Sequence, residues 1–298
     1  MIYFDHQSTS RPDARVIAAM LPYLEEHYGN PQARFQSGEM PRQGIEAARQ
    51  AVADLIHAQP EEIIFTASGT ESNNLAIKGI LKANGKKGKH IVASKIEHHS
   101  ILNPLQTLAK SGYSVTYLSV DRYGFVDLDE LKKSIRPDTV LVAITHASNE
   151  IGTLEPVAEI SSIVHERESL LFADGVQTVG NIPVDVMQLG VDLLSMAGHQ
   201  FYGAKGAAAL YVRHGVRIHP LIEGGIQENG RRSGTENVAG IVGMGKAAEL
   251  AQQEMPQRLE SITKMGKDLI AGIQERIERV HLTGHPEQRL PGDRKSVV

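Results

Sequence analysis

Short apolar runs rich in β-branched residues alternate, along most of the chain, with stretches whose apolar positions recur at helical spacing. The runs Glu62–Thr66, His90–Ser94, Ser114–Val120, Thr139–Thr145, Leu170–Ala173, Asp192–Met196 and Ala207–Val212 predict seven strands. Between them, Ile45–Ile56, Glu71–Ala83, Ile101–Ser111, Leu128–Ile135 and Val157–Glu166 predict amphipathic helices. That alternation predicts an α/β fold around a largely parallel sheet. From Asn237 to Arg279 the pattern is helical throughout, and Pro256 is expected to break or kink it. The alternation stops there. It divides the chain into an N-terminal segment (1–13), a large domain (14–253) and the beginning of a small domain (254–298). This last piece has one helix, the strand-like Arg279–Leu282 and a polar tail, Asp293–Val298. It is too short to bury a core of its own.

Composition narrows the class. With 41% hydrophobic and 22% charged residues in 298, the chain is globular rather than disordered. Lys+Arg 31 against Asp+Glu 35 leaves a net charge of −4, no electrostatic footprint for nucleic acid or an anionic membrane. No apolar run reaches the ~18–20 residues that span a bilayer. The start, Met1-Ile2-Tyr3-Phe4-Asp5-His6, has neither a basic n-region nor an apolar h-region, so the expected address is the cytoplasm. The chain has no cysteine, which excludes disulfides, thiolate metal sites and a cysteine nucleophile of its own.

In open α/β sheets, ligands bind beyond the carboxyl ends of the strands. After the first predicted strand, Ala67-Ser68-Gly69-Thr70-Glu71-Ser72-Asn73 turns directly into a helix. Its backbone N–H groups and hydroxyls suit a phosphate, although Ser68 and Glu71 also read as a plain capping box. Beyond the later strands come Glu97-His98-His99, Ser148-Asn149-Glu150-Ile151-Gly152, Asp174 with Gln177, and Gly198-His199-Gln200. One histidine in such a place is commonly structural. Five polar clusters converging on one edge predict a ligand site.

Two other motifs are set aside. Gly240-Ile241-Val242-Gly243-Met244-Gly245-Lys246-Ala247 nearly spells a P-loop, but Ala247 replaces the hydroxyl that holds Mg²⁺ and no strand precedes it. His98 and His99 are adjacent, so on a helix they point different ways and do not make a metal pair.

A phosphate cradle, a histidine to stack on a ring and a strand-end aspartate suit pyridoxal phosphate (PLP), whose pyridine nitrogen an aspartate keeps protonated. The sequence resembles the cysteine desulfurases of the class V aminotransferase group, fold-type I PLP enzymes, in the NifS/IscS-like branch. The resemblance is carried by Tyr3-Phe4-Asp5-His6-Gln7-Ser8-Thr9, Tyr28-Gly29-Asn30-Pro31, Phe65 through Asn74, Glu97-His98, Asn149-Glu150-Ile151-Gly152, Asp174-Gly175-Val176-Gln177 and Arg232-Ser233-Gly234-Thr235-Glu236-Asn237. It implies the fold-type I large domain, a mostly parallel seven-stranded sheet between helices, with a small C-terminal domain. It implies that His98 stacks on the cofactor ring and serves in acid–base chemistry, that Asp174 pairs with the pyridine nitrogen, and that Gln177 reaches the ring oxygen. Asn149 is expected beside cofactor and substrate, and Gly69, Thr70 and His199 at the phosphate. Thr235 is expected at the phosphate of the other protomer, because the family forms homodimers. L-cysteine is the implied substrate, with sulfur passed to acceptor or scaffold proteins for iron–sulfur clusters or thio-cofactors.

The chain departs from that family where the chemistry is done. The family's Ser-Gly-His-Lys is here Ala197-Gly198-His199-Gln200. A carboxamide nitrogen shares its lone pair with the carbonyl, so Gln200 can neither form the imine with PLP nor act as a base. Binding of PLP is therefore expected to be non-covalent. The family likeness stops after Leu290-Pro291-Gly292, ahead of the region where the family keeps its nucleophilic cysteine and an arginine for the substrate carboxylate. Lys205 lies five positions past Gln200 and is read as a loop lysine rather than a substitute. A catalytically impaired desulfurase-like protein is thus expected. The alternatives are a non-catalytic PLP-binding or heterodimerising paralogue, or another class V aminotransferase-type enzyme.

Overall fold

The computed structural model describes residue 3, residues 5–292 and the backbone of 296–297; the remainder of the polar tail lies outside the described residues. Seven strands form one sheet: β1 (Ile63–Thr66), β2 (His90–Ser94), β3 (Ser114–Leu118), β4 (Thr139–Thr145), β5 (Leu170–Asp174), β6 (Leu193–Ala197) and β7 (Ala208–Val212). Their order is β1-β7-β6-β5-β4-β2-β3. Neighbours pair in parallel except around β7, which is antiparallel to both β1 and β6. The other six strands therefore run one way and deliver their carboxyl ends to one edge. Strands β1, β2, β4, β6 and β7 are buried at every position, as continuous apolar runs in a doubly covered sheet should be. Edge strand β3 is only partly covered.

Among the described residues, ten α-helices accompany the sheet: α1 (Ala14–Met20), α2 (Pro22–Glu25), α3 (Glu39–Leu55), α4 (Gly69–Asn74), α5 (Ile80–Ala83), α6 (His99–Lys110), α7 (Leu128–Ser134), α8 (Val157–His165), α9 (Val186–Leu189) and α10 (Val238–Arg276). A π-helical turn, Leu75–Gly79, joins α4 to α5 without a break. Two cores result, one on each sheet face. The first gathers Val16, Val52, Ile56, Val164, Phe201 and Met244 from α1, α3, α8 and α10 among others. The second gathers Leu75, Ile77, Ile80, Ile101, Leu105 and Phe172, under α4 to α6.

The α/β expectation holds, and all seven predicted strands are present with ends moved by at most a residue or two. The break at Pro256 does not occur. Helix α10 continues through it, for 39 residues in all. Proline removes the bond to the carbonyl four residues back, that of Gln252, which lies on the exposed face where water can replace it. The predicted strand Arg279–Leu282 shrinks to β8 (His281–Leu282), paired with β9 (Ser296–Val297). Between those two strands, residues 288–290 run beside 152–154, with Leu154 N–H bonding Gln288 O at 3.0 Å and Leu290 N–H bonding Gly152 O at 2.9 Å. No described helix is long and apolar enough to cross a membrane.

Candidate active site

The carboxyl ends of β1, β2, β4, β5 and β6 meet around a cavity of about 390 Å³. Ser68, Gly69 and Thr70 line it from the turn after β1, His98 from that after β2, Asn149 and Glu150 from that after β4, Asp174 from the end of β5, Gln177 from the turn after it, and His199 and Gln200 from the turn after β6. The five clusters expected from sequence are therefore brought together. Thr235 is not among the lining residues; it is exposed on the loop that precedes α10.

Two readings of the first turn turn out to share one geometry. Ser68 Oγ caps α4 by accepting the Glu71 N–H at 3.1 Å, and Glu71 reaches back to the Ala67 N–H at 2.9 Å. The N–H groups of Gly69 and Thr70, first in the helix, have no intrahelical carbonyl to bond and remain available for an anion. A Cβ at position 69 would sit 2.7 Å from Val176 Cγ2, so only glycine brings this backbone so close to the β5 turn. Arg232, from the Thr235 loop, braces the cap by pairing with Glu71 at 2.8 Å.

Asp174 is buried and closely held. Its Oδ1 accepts from Val176 N–H at 3.0 Å and Ser195 Oγ at 3.2 Å, and its Oδ2 accepts from Asn73 Nδ2 at 2.8 Å. Deeper, Glu97 Oε1 accepts from Ser94 Oγ at 2.6 Å and from Thr145 N–H at 2.8 Å, tying the ends of β2 and β4 together. Burial pushes Glu97 up to about 8, outweighing those two hydrogen bonds, and the nearby Asp174 and Glu155 carboxylates push the same way. Burial likewise lifts Glu155 to about 7 and lowers His146 to about 4. His199 is lowered too, by burial first and then by the Lys205 charge.

An N-terminal strap closes the cavity's remaining side, with Asp5, Gln7 and Ser8 on its wall. Ser10 fastens it, donating from Oγ to His199 O at 2.7 Å and accepting the Tyr202 N–H at 2.8 Å. Gln200 Nε2 donates to Ser8 O at 3.2 Å, and Gln7 Nε2 to Asn149 O at 2.8 Å. Sequence reasoning assigned no role to the strap, to Asn73 or to Ser100. Their signal is three-dimensional, since each has a partner many residues away, Asn73 being the distant one for Ser100.

These donors suit a phosphorylated pyridine. The helix start with Thr70 and His199 could hold a phosphate, Asp174 could face a ring nitrogen, and His98, Asn149 and Gln177 line the space between. No lysine or cysteine lines the cavity, and Lys205 lies exposed outside it. Among the described residues no cluster of His, Asp or Glu could hold a metal ion.

The model of the aminotransferase class-V family matches residues 2–293. The chain is 52% identical over 292 residues to a cysteine desulfurase IscS of Dictyoglomus turgidum, covering 98% of this chain and 74% of the relative. It is 48% identical over 289 residues to an IscS of Methanosarcina thermophila, covering 97% and 71%. Among solved structures, a NifS-like protein superposes with a TM-score of 0.94 at 39% identity, covering 97% of this chain and 80% of that one. The chain belongs to the class V aminotransferase family, in its cysteine desulfurase branch.

Proposed function

We propose that this chain binds PLP without a covalent bond in the cavity at the strand ends, and that it does not by itself carry the desulfurase reaction to completion. The observation that carries the reading is Gln200. Its carboxamide occupies the cavity wall where the family places lysine, and no other lining residue offers a primary amine or a thiol. Gly69, Thr70 and His199 bind the phosphate, Asp174 accepts from the ring nitrogen, and Gln177 donates toward the ring oxygen. His98 packs on the ring face and Asn149 orients the ligand. When bound, PLP supplies an electron sink for bonds at an amino acid's α-carbon. The residues of this chain bind and orient it and exclude water, but Gln200 cannot move the α-proton.

The family reaction converts L-cysteine to L-alanine and leaves sulfur as an enzyme persulfide for iron–sulfur cluster or thio-cofactor assembly. The substrate class follows from the relatives' names and from the similar protein SspA, solved in complex with cysteine at 35% identity and a TM-score of 0.83. The persulfide needs a thiol, and the 298 residues contain none. Tyr28, Phe35 and Ile226 expose 79%, 71% and 80% of their surface. Together with the exposed Thr235, they support a homodimer, or a pairing with an intact desulfurase, in which Thr235 reaches the partner's phosphate site. The cytoplasm is the proposed location, and 14–253 with 254–298 the proposed domains, sharing α10.

Equilibrium dialysis with PLP, then borohydride reduction and mass spectrometry, tests this. The expected result is saturable binding with no pyridoxyl adduct, and no sulfide from cysteine above that of free PLP. An adduct on Lys205, or sulfide well above background, overturns it.

A further inference from the structure

Asn73 sits in α4 with 1% of its surface exposed, on the wall of the cavity, and its side chain is used asymmetrically. One atom, Nδ2, donates both of its hydrogens: to Asp174 Oδ2 at 2.8 Å and to Ser100 Oγ at 2.7 Å. The other, Oδ1, is buried without a partner. Leaving a buried carbonyl unpaired is costly, and the arrangement persists because a carboxylate accepts and never donates. Ser100 continues the chain. Its oxygen already accepts from Asn73, and its hydroxyl lies 2.7 Å from His98 Nδ1, which also accepts the Ser100 backbone N–H at 3.1 Å. The backbone N–H can only donate, so Nδ1 presents its lone pair and the Ser100 hydroxyl meets it as a donor too.

We infer that Asn73 is a positioning residue that couples Asp174 to His98, through an ordered relay running from Asn73 to Ser100 to His98. Its two hydrogens set the Asp174 oxygen and the direction of the Ser100 hydroxyl together. Asp174 and His98, the groups proposed to meet the ring nitrogen and the ring face, are then fixed by one side chain from the cavity wall. This deepens the proposed PLP binding and rests on it for its functional consequence; the relay itself exists in the ligand-free protein.

The test uses that difference. In Asn73→Asp, the oxygen replacing Nδ2 carries at most one hydrogen, which the adjacent Asp174 carboxylate takes. The Ser100 contact must reverse, and His98 loses its hydroxyl donor. Nitrogen-15 NMR of the ligand-free full chain, with His98 identified by its loss in His98→Gln, should show the Nδ1 resonance moving downfield in Asn73→Asp. Ser100→Ala, which removes the hydroxyl donor outright, should move it in the same sense. In the double variant Asn73→Asp should add nothing at His98. An unmoved Nδ1 in Asn73→Asp, or an equal further shift in the Ser100→Ala background, refutes the relay. As a second readout, Asn73→Leu should weaken PLP binding by about tenfold, the scale of one hydrogen bond to a charged group. The NMR readout needs no cofactor, so absent PLP binding in the unmodified protein counts against the proposed function alone.

Discussion

Replacing Glu97 by Gln should make the protein more stable at neutral pH while changing little in mild acid. Glu97 is buried between the ends of β2 and β4, and its Oε2 has no partner. Burial raises it from 4.5 to about 8. Between those values the folded chain holds a proton that the unfolded chain releases, so stability is full below about 4.5, falls as pH rises, and levels off above about 8. At 1.36 kcal/mol per unit, this costs about 1 kcal/mol near pH 5 and about 4 kcal/mol near pH 7.5. Gln has no proton to lose, and its Oε1 still accepts from Ser94 Oγ and Thr145 N–H. The variant's advantage should therefore grow by about 3 kcal/mol between about pH 5 and about pH 7.5. Urea unfolding at several pH values measures it. Glu155 titrates in an overlapping window and its charge acts on Glu97, so the same comparison in a Glu155→Gln background isolates the Glu97 contribution. Parallel stability curves for the two proteins would refute the reasoning, since they would mean that Glu97 is no more protonated folded than unfolded.

Gln200→Lys should restore a borohydride-trappable pyridoxyl adduct at residue 200, yet release no sulfide from cysteine beyond free PLP, because the lysine replaces a base and not a thiol; sulfide release would show that this division of labour is wrong. Arg49→Ala should cost about 3–5 kcal/mol in urea unfolding, because it strands the buried Glu228 carboxylate that Arg49 meets at 2.8 Å and that also accepts the Phe65 N–H at 2.9 Å; a loss below about 1 kcal/mol would contradict this. Light scattering should find a dimer or larger species, given the exposed Tyr28, Phe35 and Ile226; a stable, soluble monomer at micromolar concentration would count against the proposed pairing.

The sheet was legible because buried parallel strands need apolar side chains on both faces, and runs such as Thr139–Thr145 leave no helical alternative. Their ends were less so. Asp192 reads as part of β6, yet the strand begins at Leu193 and the buried Asp192 carboxylate instead accepts the Leu171 N–H at 2.7 Å. Pro256 misled because its helical cost depends on whether the orphaned carbonyl meets water, which the sequence does not state. The strand-end residues from Ser68 to Gln200 were found because topology alone assembles them. Asn73 was missed because its hydrogen bond to Asp174 spans 101 positions, and Ser100 because its link to Asn73 spans 27; neither leaves a local pattern.

The antiparallel β7 between β1 and β6 has a consequence for the order of assembly. Among the described residues, strand β1 pairs with β7 alone, with Phe65 opposite Ala209. On a chain growing at about 5–20 residues per second, the ~140 residues between them take about 7–30 s to appear. Until then Ile63-Ile64-Phe65-Thr66 has no edge to join and is a strand-pairing hazard that the nascent chain must carry. The turn that opens α4 hangs from the end of that strand. The Gly69–Thr70 wall, early in sequence, is thus among the last parts of the cavity to be put in place.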